Sequence, residues 1–311
     1  IEGVFTVSCA GGMRSDCCIS GTIEPVNGMA GYSVTVSGLQ GGHSGGDIHL
    51  GRASGNQVMG RVLFDAMKKF PGLRLAAVQG GQFDNVICSR CDAAVAVPAG
   101  METAFEEFVR AYDAILKNEY AGCDDGITLS CGAADVTSAV SAADTSVMLH
   151  VLVALPQGVQ AMSVDFPGLV QTSLNMGVLR LKEDGLHVTF SIRSCIASQK
   201  EMLAQRVRAI VEFAGGTVTE RGKYPGWQYE RQSKFRDMVL EAYHDLTGKE
   251  GVVEATHGGL ECGLLIEKIP GLDAISMGPE LHDVHSVRER LNVPSTERMY
   301  QLLCEALKRS K

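Results

Sequence analysis

The apolar residues change period repeatedly between Tyr32 and Ser130, and the order of those changes admits few folds. Tyr32-Ser33-Val34-Thr35-Val36 alternates as a strand does, and Val58, Met59, Val62, Leu63 and Met67 then form one helical stripe through residues 56–69. Phe70-Pro71-Gly72 stops that helix. Strands at 73–78 and 86–97, a helix at 102–118 and a strand at 127–130 complete a β-α-β-β-α-β pattern. Such a series predicts an α+β unit of ferredoxin-like topology.

A second, related half-unit follows. Its helix is expected at 144–155, its hairpin at 174–181 and 187–192 around the Glu183-Asp184-Gly185 turn, and its second helix at 199–213. Met202, Leu203, Val207, Ile210 and Val211 line one side of that helix, which ends at Gly215-Gly216 before a strand at 217–219. The two half-units are expected to build one sheet domain.

After Tyr224-Pro225-Gly226-Trp227 the pattern becomes α/β. A helix at 233–246, a strand at 252–254, a short helix after Gly258-Gly259, a strand at 274–277 and a last helix from Pro294 are expected. Val4-Phe5-Thr6-Val7-Ser8 alternates with no cap or polar lead-in before it, as though the chain were entered in mid-strand, and a polar stretch follows. One strand and residues 222–311 do not complete an α/β core, so the 311 residues are expected to hold one whole domain and part of another.

The net charge of −8, without any run of Lys and Arg, excludes a nucleic-acid surface. No segment approaches the ~18–20 apolar residues of a membrane helix, and the N-terminus lacks the basic region of a signal peptide, so a cytoplasmic protein without membrane partners is expected. The 10 cysteines show no regular spacing and read as reduced thiols. Cys88-Ser89-Arg90-Cys91 precedes a strand-like run, where a redox motif would open a helix, and no second pair completes a zinc knuckle.

Chemistry-bearing residues gather in three glycine-rich loops: Gly41-Gly42-His43-Ser44-Gly45-Gly46, Gly258-Gly259-Leu260-Glu261-Cys262-Gly263, and Gly278-Pro279 through His285-Ser286. Glycine lets backbone approach a small ligand. His43 is suited to orienting a carbonyl or carboxylate, or is a turn histidine; no Gly-Lys-Ser or Gly-Lys-Thr closes its loop as in a phosphate loop. Asn85 and Arg193 stand at strand ends, and Arg offers a bidentate fork to a carboxylate. His282 and His285 follow an apolar strand, where zinc ligands collect. Glu261, at a helix start, is a helix-terminal carboxylate or a site acid.

Taken in register, Cys9-Ala10-Gly11-Gly12, Gly38 through Gly46, Asn85, Ile192-Arg193-Ser194, Tyr224-Pro225-Gly226-Trp227, His257 through Gly263, and Gly278-Pro279 with His285-Ser286 resemble the bacterial aminoacyl-histidine dipeptidases, also called cytosol non-specific dipeptidases. These belong to the di-zinc aminoacylase and carboxypeptidase superfamily. The resemblance implies an α/β fold: a partial zinc-exopeptidase-like catalytic domain interrupted by an α+β lid of two ferredoxin-like half-units. Residues 1–22 are then the end of the N-terminal catalytic segment, 23–221 the lid, and 222–311 the C-terminal catalytic segment. It further implies hydrolysis of Xaa-His and other dipeptides by zinc-activated water, with two Zn2+ per complete site and Mn2+ or Co2+ as substitutes. His285 is the implied metal ligand. His43 is the implied catalytic residue, Asn85 and Arg193 grip the dipeptide, Gly258 and Gly259 offer backbone N–H groups to its carboxylate, and His257 and Glu261 line the site.

The family's other zinc ligands and its catalytic Glu lie on an upstream segment that these residues do not include. Val284 and Val287 replace prolines usual around the metal histidine, and Cys88 replaces another. A single imidazole does not hold two ions, so the chain by itself is expected to be an inactive fragment. The partners expected are a dipeptide, the missing N-terminal segment, and a second copy in a homodimer or, in its place, the lid's own duplicated halves. The alternative is a non-catalytic peptide- or partner-binding remnant of such an enzyme.

Overall fold

The β-α-β-β-α-β series forms in the predicted order in the computed structural model, which describes residues 2–284 and 286–311. Its elements are strand Met29–Ser37, helix Gly55–Lys69, strands Arg74–Gly80 and Cys91–Pro98, helix Glu102–Glu119 and strand Thr128–Ala133. All pairings are antiparallel, with Tyr32 opposite both Val95 and Ala133. The first strand therefore lies between the third and fourth, the ferredoxin-like order that two helical crossovers onto one face impose.

The long strand expected at 86–97 is broken. Val86–Ile87 pairs with Gly42–His43 outside the main sheet, and only from Cys91 does the chain join that sheet. Between them Cys88 is buried, its Sγ 3.2 Å from Asn56 Oδ1 and 3.0 Å from the Arg90 carbonyl. Cys88 and Cys91 are both free thiols, and burial raises both in pKa.

The second unit is discontinuous. Helix Ala142–Ala154, strands Val170–Lys182 and Gly185–Ser194, helix Ala197–Phe213 and strand Thr217–Tyr224 supply most of it. Its remaining strand, Gly11–Ile19, precedes the first unit in the chain and pairs with both Gly185–Ser194 and Thr217–Tyr224. Residues 11–19 thus share a sheet with residues 185–194 and 217–224. Gly11-Gly12 and the polar Arg14, Ser15 and Asp16 hide the strand in the sequence, whereas in the fold Met13, Cys17 and Ile19 turn into the core.

The units meet edge to edge where Leu179 pairs with Gly80 and Arg180 with Gln79, which makes one nine-stranded sheet. Arg180 bridges the seam, its Nη1 donating to the Gly80 carbonyl at 2.7 Å and its Nη2 to that of Gly81. Gly81 has φ +68°, and a Cβ there would lie 1.8 Å from the Gly177 carbonyl oxygen. All four long helices of this domain share one apolar cluster with the inward strand residues, among them Val62, Leu116, Leu149, Val207, Val95 and Phe190. The opposite sheet face is polar, as Thr189 Oγ1 donating to Asp16 Oδ1 at 2.8 Å shows.

In the α/β part, Val4–Cys9 runs parallel to Val252–Thr256. The strand expected at 274–277 reduces to one antiparallel bridge, Ser276 exchanging backbone bonds of 2.8 and 2.9 Å with Thr6. Helices Lys234–Thr247 and Val293–Arg309 are capped by Ser233 and Asn292, which accept from Arg236 N at 3.0 Å and Ser295 N at 3.1 Å. They enclose Phe5, Val239, Ala242, Tyr243, Met299 and Leu302, with Phe5 edge-on to Tyr243 at 5.3 Å. This small cluster holds the strand whose ends carry the site.

Candidate functional site

The glycine loop folds around its histidine. His43 N–H donates to Asp47 Oδ2 at 2.8 Å, Asp47 N–H returns a 2.8 Å bond to the His43 carbonyl, and Ser44 N–H donates to the Asn85 carbonyl at 2.9 Å. Inside this turn His43 Nδ1 accepts the N–H groups of Gly45 at 3.2 Å and Gly46 at 3.0 Å. A ring nitrogen that accepts carries no proton, so the neutral imidazole has its hydrogen on Nε2, the side away from the turn. Burial, then the nearby Arg193 charge, lowers the His43 pKa, with Asp47 opposing. A Cβ on Gly45 would stand 2.9 Å from His43 Cε1 and 3.4 Å from Arg193 Cζ; glycine is what lets ring and guanidinium face each other there.

Arg193 reaches this place from the end of strand Gly185–Ser194, where its Cα stands opposite Gly12. Its Nη1 lies 3.4 Å from Tyr224 Oη, a long contact, and its Nε is buried without a hydrogen-bond partner among the described residues. Leaving a buried guanidinium nitrogen unpaired is costly, and an anionic ligand relieves that cost.

His257 enters from the end of strand Val252–Thr256. It is 6% exposed, with Nε2 2.8 Å from Ser173 Oγ on strand Val170–Lys182. Burial first, then the Arg193 charge, pushes its pKa down to about 4; His43 and His49 add to the depression and a bond to the Val170 backbone opposes it. A cleft of about 400 Å³ is bounded by His43, Gly45, His49, Val170, His257 and Gly258. It therefore lies between the His43 loop and the end of strand Val252–Thr256, and the charge of Arg193, which is not among its lining residues, acts on both the His43 and the His257 ring.

The expected residues fall into two groups. His43, Arg193, His257 and Gly258 converge, and Gly259 approaches the Tyr224 ring, where an added Cβ would lie 2.9 Å from Cε2. The Gly258 N–H donates to Thr256 Oγ1 at 3.1 Å. Asn85 contributes its carbonyl to the His43 loop and does not line the cleft. Glu261 is exposed at the first position of helix Glu261–Lys268, as the helix-terminal reading has it, and its charge acts on Cys9 and Cys262. His282 is exposed, 3.2 Å from Glu280. His285 lies outside the described residues.

Ser173, His49 and Tyr224 were not singled out as site residues from the sequence. Tyr224 alone had a signal, its place in the Tyr-Pro-Gly-Trp run where strand Thr217–Tyr224 ends. Among the described residues no group of three metal donors forms in the cleft. His43 Nδ1 and His257 Nε2 are committed to protein partners, so these residues do not supply the donor set of a two-metal centre.

Comparison with known proteins adds the relatives. The family described as the peptidase dimerisation domain matches residues 28–123. The cytosol non-specific dipeptidase of Escherichia coli (strain K12) is 33% identical over 310 residues, covering 99% of this chain and 64% of that protein. The crystal structure of aminoacylhistidine dipeptidase from Vibrio alginolyticus superposes with a TM-score of 0.93 at 31% identity, covering 99% of this chain and 63% of that one. The chain thus spans less than two thirds of the length of these relatives.

Proposed function

We propose that this chain belongs to the M20 peptidases and is the lid and C-terminal catalytic segment of a metal-dependent dipeptidase acting on Xaa-His and other dipeptides in the cytoplasm; its likeness to the dipeptidases above supports this. The observation that carries this reading is Arg193, a half-buried guanidinium whose buried Nε has no hydrogen-bond partner among the described residues, near the His43 and His257 rings whose pKa values are lowered. A site with one cation at a fixed reach from a neutral N–H donor selects a short substrate with a terminal carboxylate and a nearby carbonyl. A dipeptide has both.

In this reading Arg193 holds the C-terminal carboxylate and Gly259 adds its backbone N–H. His43 presents Nε2–H to the oxygen of the scissile carbonyl, where negative charge grows in the transition state. Asn85 and Asp47 hold the His43 loop, His257 seats the lid strand through Ser173, and Glu261 serves at the margin of the site. Two Zn2+ ions, or Mn2+ or Co2+ in their place, are the proposed source of activated water, and His285 is the proposed ligand from this chain. No helix among the described residues is long and apolar enough to cross a membrane. The edge-to-edge pairing of the two half-units supports a lid that does within one chain what a homodimer would do with two copies.

The test is to assay the protein expressed from its own gene, with added Zn2+, on dipeptides and their C-terminal amides. Hydrolysis of the free acids at least tenfold faster in kcat/KM than the amides is expected. Absence of hydrolysis, or equal rates on acid and amide, would overturn the reading.

A further inference from the structure

We propose that Cys18, Asp184 and His187 form a binding site for one divalent transition-metal ion of borderline softness, with Zn2+ as the reference, on the open polar face of the lid sheet. The site is independent of the peptidase reading. His187 and Cys18 are direct cross-strand partners, which places their side chains on one face. Cys17 beside it points into the core, so Cys18 faces outward. Asp184 sits in the turn closed by Lys182 opposite Gly185, three residues before His187.

The geometry selects a metal over a nucleophile. Asp184 Oδ1 lies 2.8 Å and Cys18 Sγ 3.7 Å from the same atom, His187 Nε2. A carboxylate-imidazole-thiol relay needs the acid on one ring nitrogen and the thiol on the other. Here one nitrogen would have to donate to the carboxylate and accept from the thiol at once. A cation at the point of convergence satisfies all three, because thiolate, imidazole and carboxylate then all act as donors of electron pairs. The three ligand atoms lie within 4.8 Å of one another. Tetrahedral bonds of about 2.0–2.3 Å place ligand atoms roughly 3.3–3.6 Å apart, so small side-chain rotations complete the set. The fourth position is left to water, since Asp184 is exposed.

On binding, the Cys18 thiol loses its proton to solvent and forms the S–metal bond, His187 keeps its ring hydrogen on Nδ1, and Asp184 remains a carboxylate; nothing is oxidised or reduced. Burial and the Asp184 charge keep the metal-free thiol protonated, and Lys182 opposes a cation nearby. Affinity is therefore expected to be moderate and to rise with pH. Arg193 lies six residues along the same strand, about 20 Å away, so this site is separate from the cleft.

The experiment is site-resolved thiol alkylation of the metal-stripped protein, read by mass spectrometry, with Zn2+ or Mg2+ at equal concentration. Zn2+ is expected to slow labelling of Cys18 at least tenfold, Mg2+ to leave it unchanged, and the half-buried Cys131 and Cys304 to label equally in both. Asp184→Asn, a nearly isosteric change of an exposed side chain, is expected to raise the Zn2+ concentration needed for protection at least tenfold, and His187→Gln likewise. Labelling of Cys18 unaffected by Zn2+, or equal protection in Asp184→Asn, would overturn the proposal.

Discussion

His257 Nε2 lies 2.8 Å from Ser173 Oγ, and through that contact the C-terminal segment holds strand Val170–Lys182 of the nine-stranded sheet. The ring is buried against Arg193 and is kept neutral, its pKa lowered from 6.5 to about 4. Unfolded chains take up the proton near 6.5 and the folded chain only near 4, so between these values the unfolded state binds more protons and stability rises with pH. The contribution is whole above pH 6.5 and is lost as the pH falls toward 4, by at most about 3 kcal/mol. Urea unfolding at a series of pH values is expected to show this slope in the wild type and a flatter one in His257→Gln. Parallel slopes in the two proteins would show that His257 does not carry it.

Arg193 gives a prediction about substrate ends. Its buried Nε, without a hydrogen-bond partner among the described residues, and its weak 3.4 Å contact to Tyr224 leave the guanidinium able to pair with a carboxylate. A hydrogen-bonded charge contact of this kind contributes about 1.5–3 kcal/mol, or roughly 10- to 150-fold. Arg193→Met is expected to lower kcat/KM on free dipeptides by that factor and to leave C-terminally amidated ones unchanged. Equal losses on both would mean that Arg193 only supports the fold.

The architecture was legible where apolar period and turn chemistry agreed, and less so where tertiary pairing decided. Tyr32, Val34 and Val36 announce their strand, and the Glu183-Asp184-Gly185 turn announces its hairpin. Residues 11–19 do not: with Ser15 inward and Cys18 outward, polarity no longer reports the face, and only pairing with Gly185–Ser194 reveals a strand of the large sheet. Val86–Ile87 likewise leaves the main sheet because the His43 loop captures it. In the candidate site, glycine context marks the loop that holds His43, whereas the approach of Arg193 to that loop is set by tertiary pairing and has no local signal. The Ser173 partner of His257 was not legible either, since 84 residues separate the two and nothing local marks the serine.

The seam between the half-units predicts a backbone-specific loss of stability. Gly81 combines φ +68° with a Gly177 carbonyl 1.8 Å from where a Cβ would be, whereas Gly100 has φ +84° and nothing within 4 Å. Gly100→Ala carries only the conformational cost of about 1–2 kcal/mol. Gly81→Ala must also push apart the strands that join the units, where only Leu179–Gly80 and Arg180–Gln79 pair. It is expected to cost at least about 2 kcal/mol more than Gly100→Ala by chemical denaturation. Equal costs would mean that the seam yields freely.

His43 permits the sharpest separation of structure from chemistry, because its two nitrogens have different tasks. Nδ1 accepts from Gly45 and Gly46 and so shapes the loop, while Nε2–H points away from it. Asparagine places an acceptor oxygen close to where Nδ1 stands but has nothing at Nε2. His43→Asn is therefore expected to keep the thermal midpoint within about 1 °C and to lower kcat by about 10²–10³-fold, the range for loss of one transition-state donor. His43→Ala removes both tasks and is expected to lose loop order as well, with a rise in KM. Because Arg193 and burial lower the His43 pKa, the ring stays neutral below 6.5 and the acid limb of kcat is expected to fall under that value. A His43→Asn enzyme with wild-type kcat would leave the ring a purely structural part of the turn, and the oxyanion role would pass to another group.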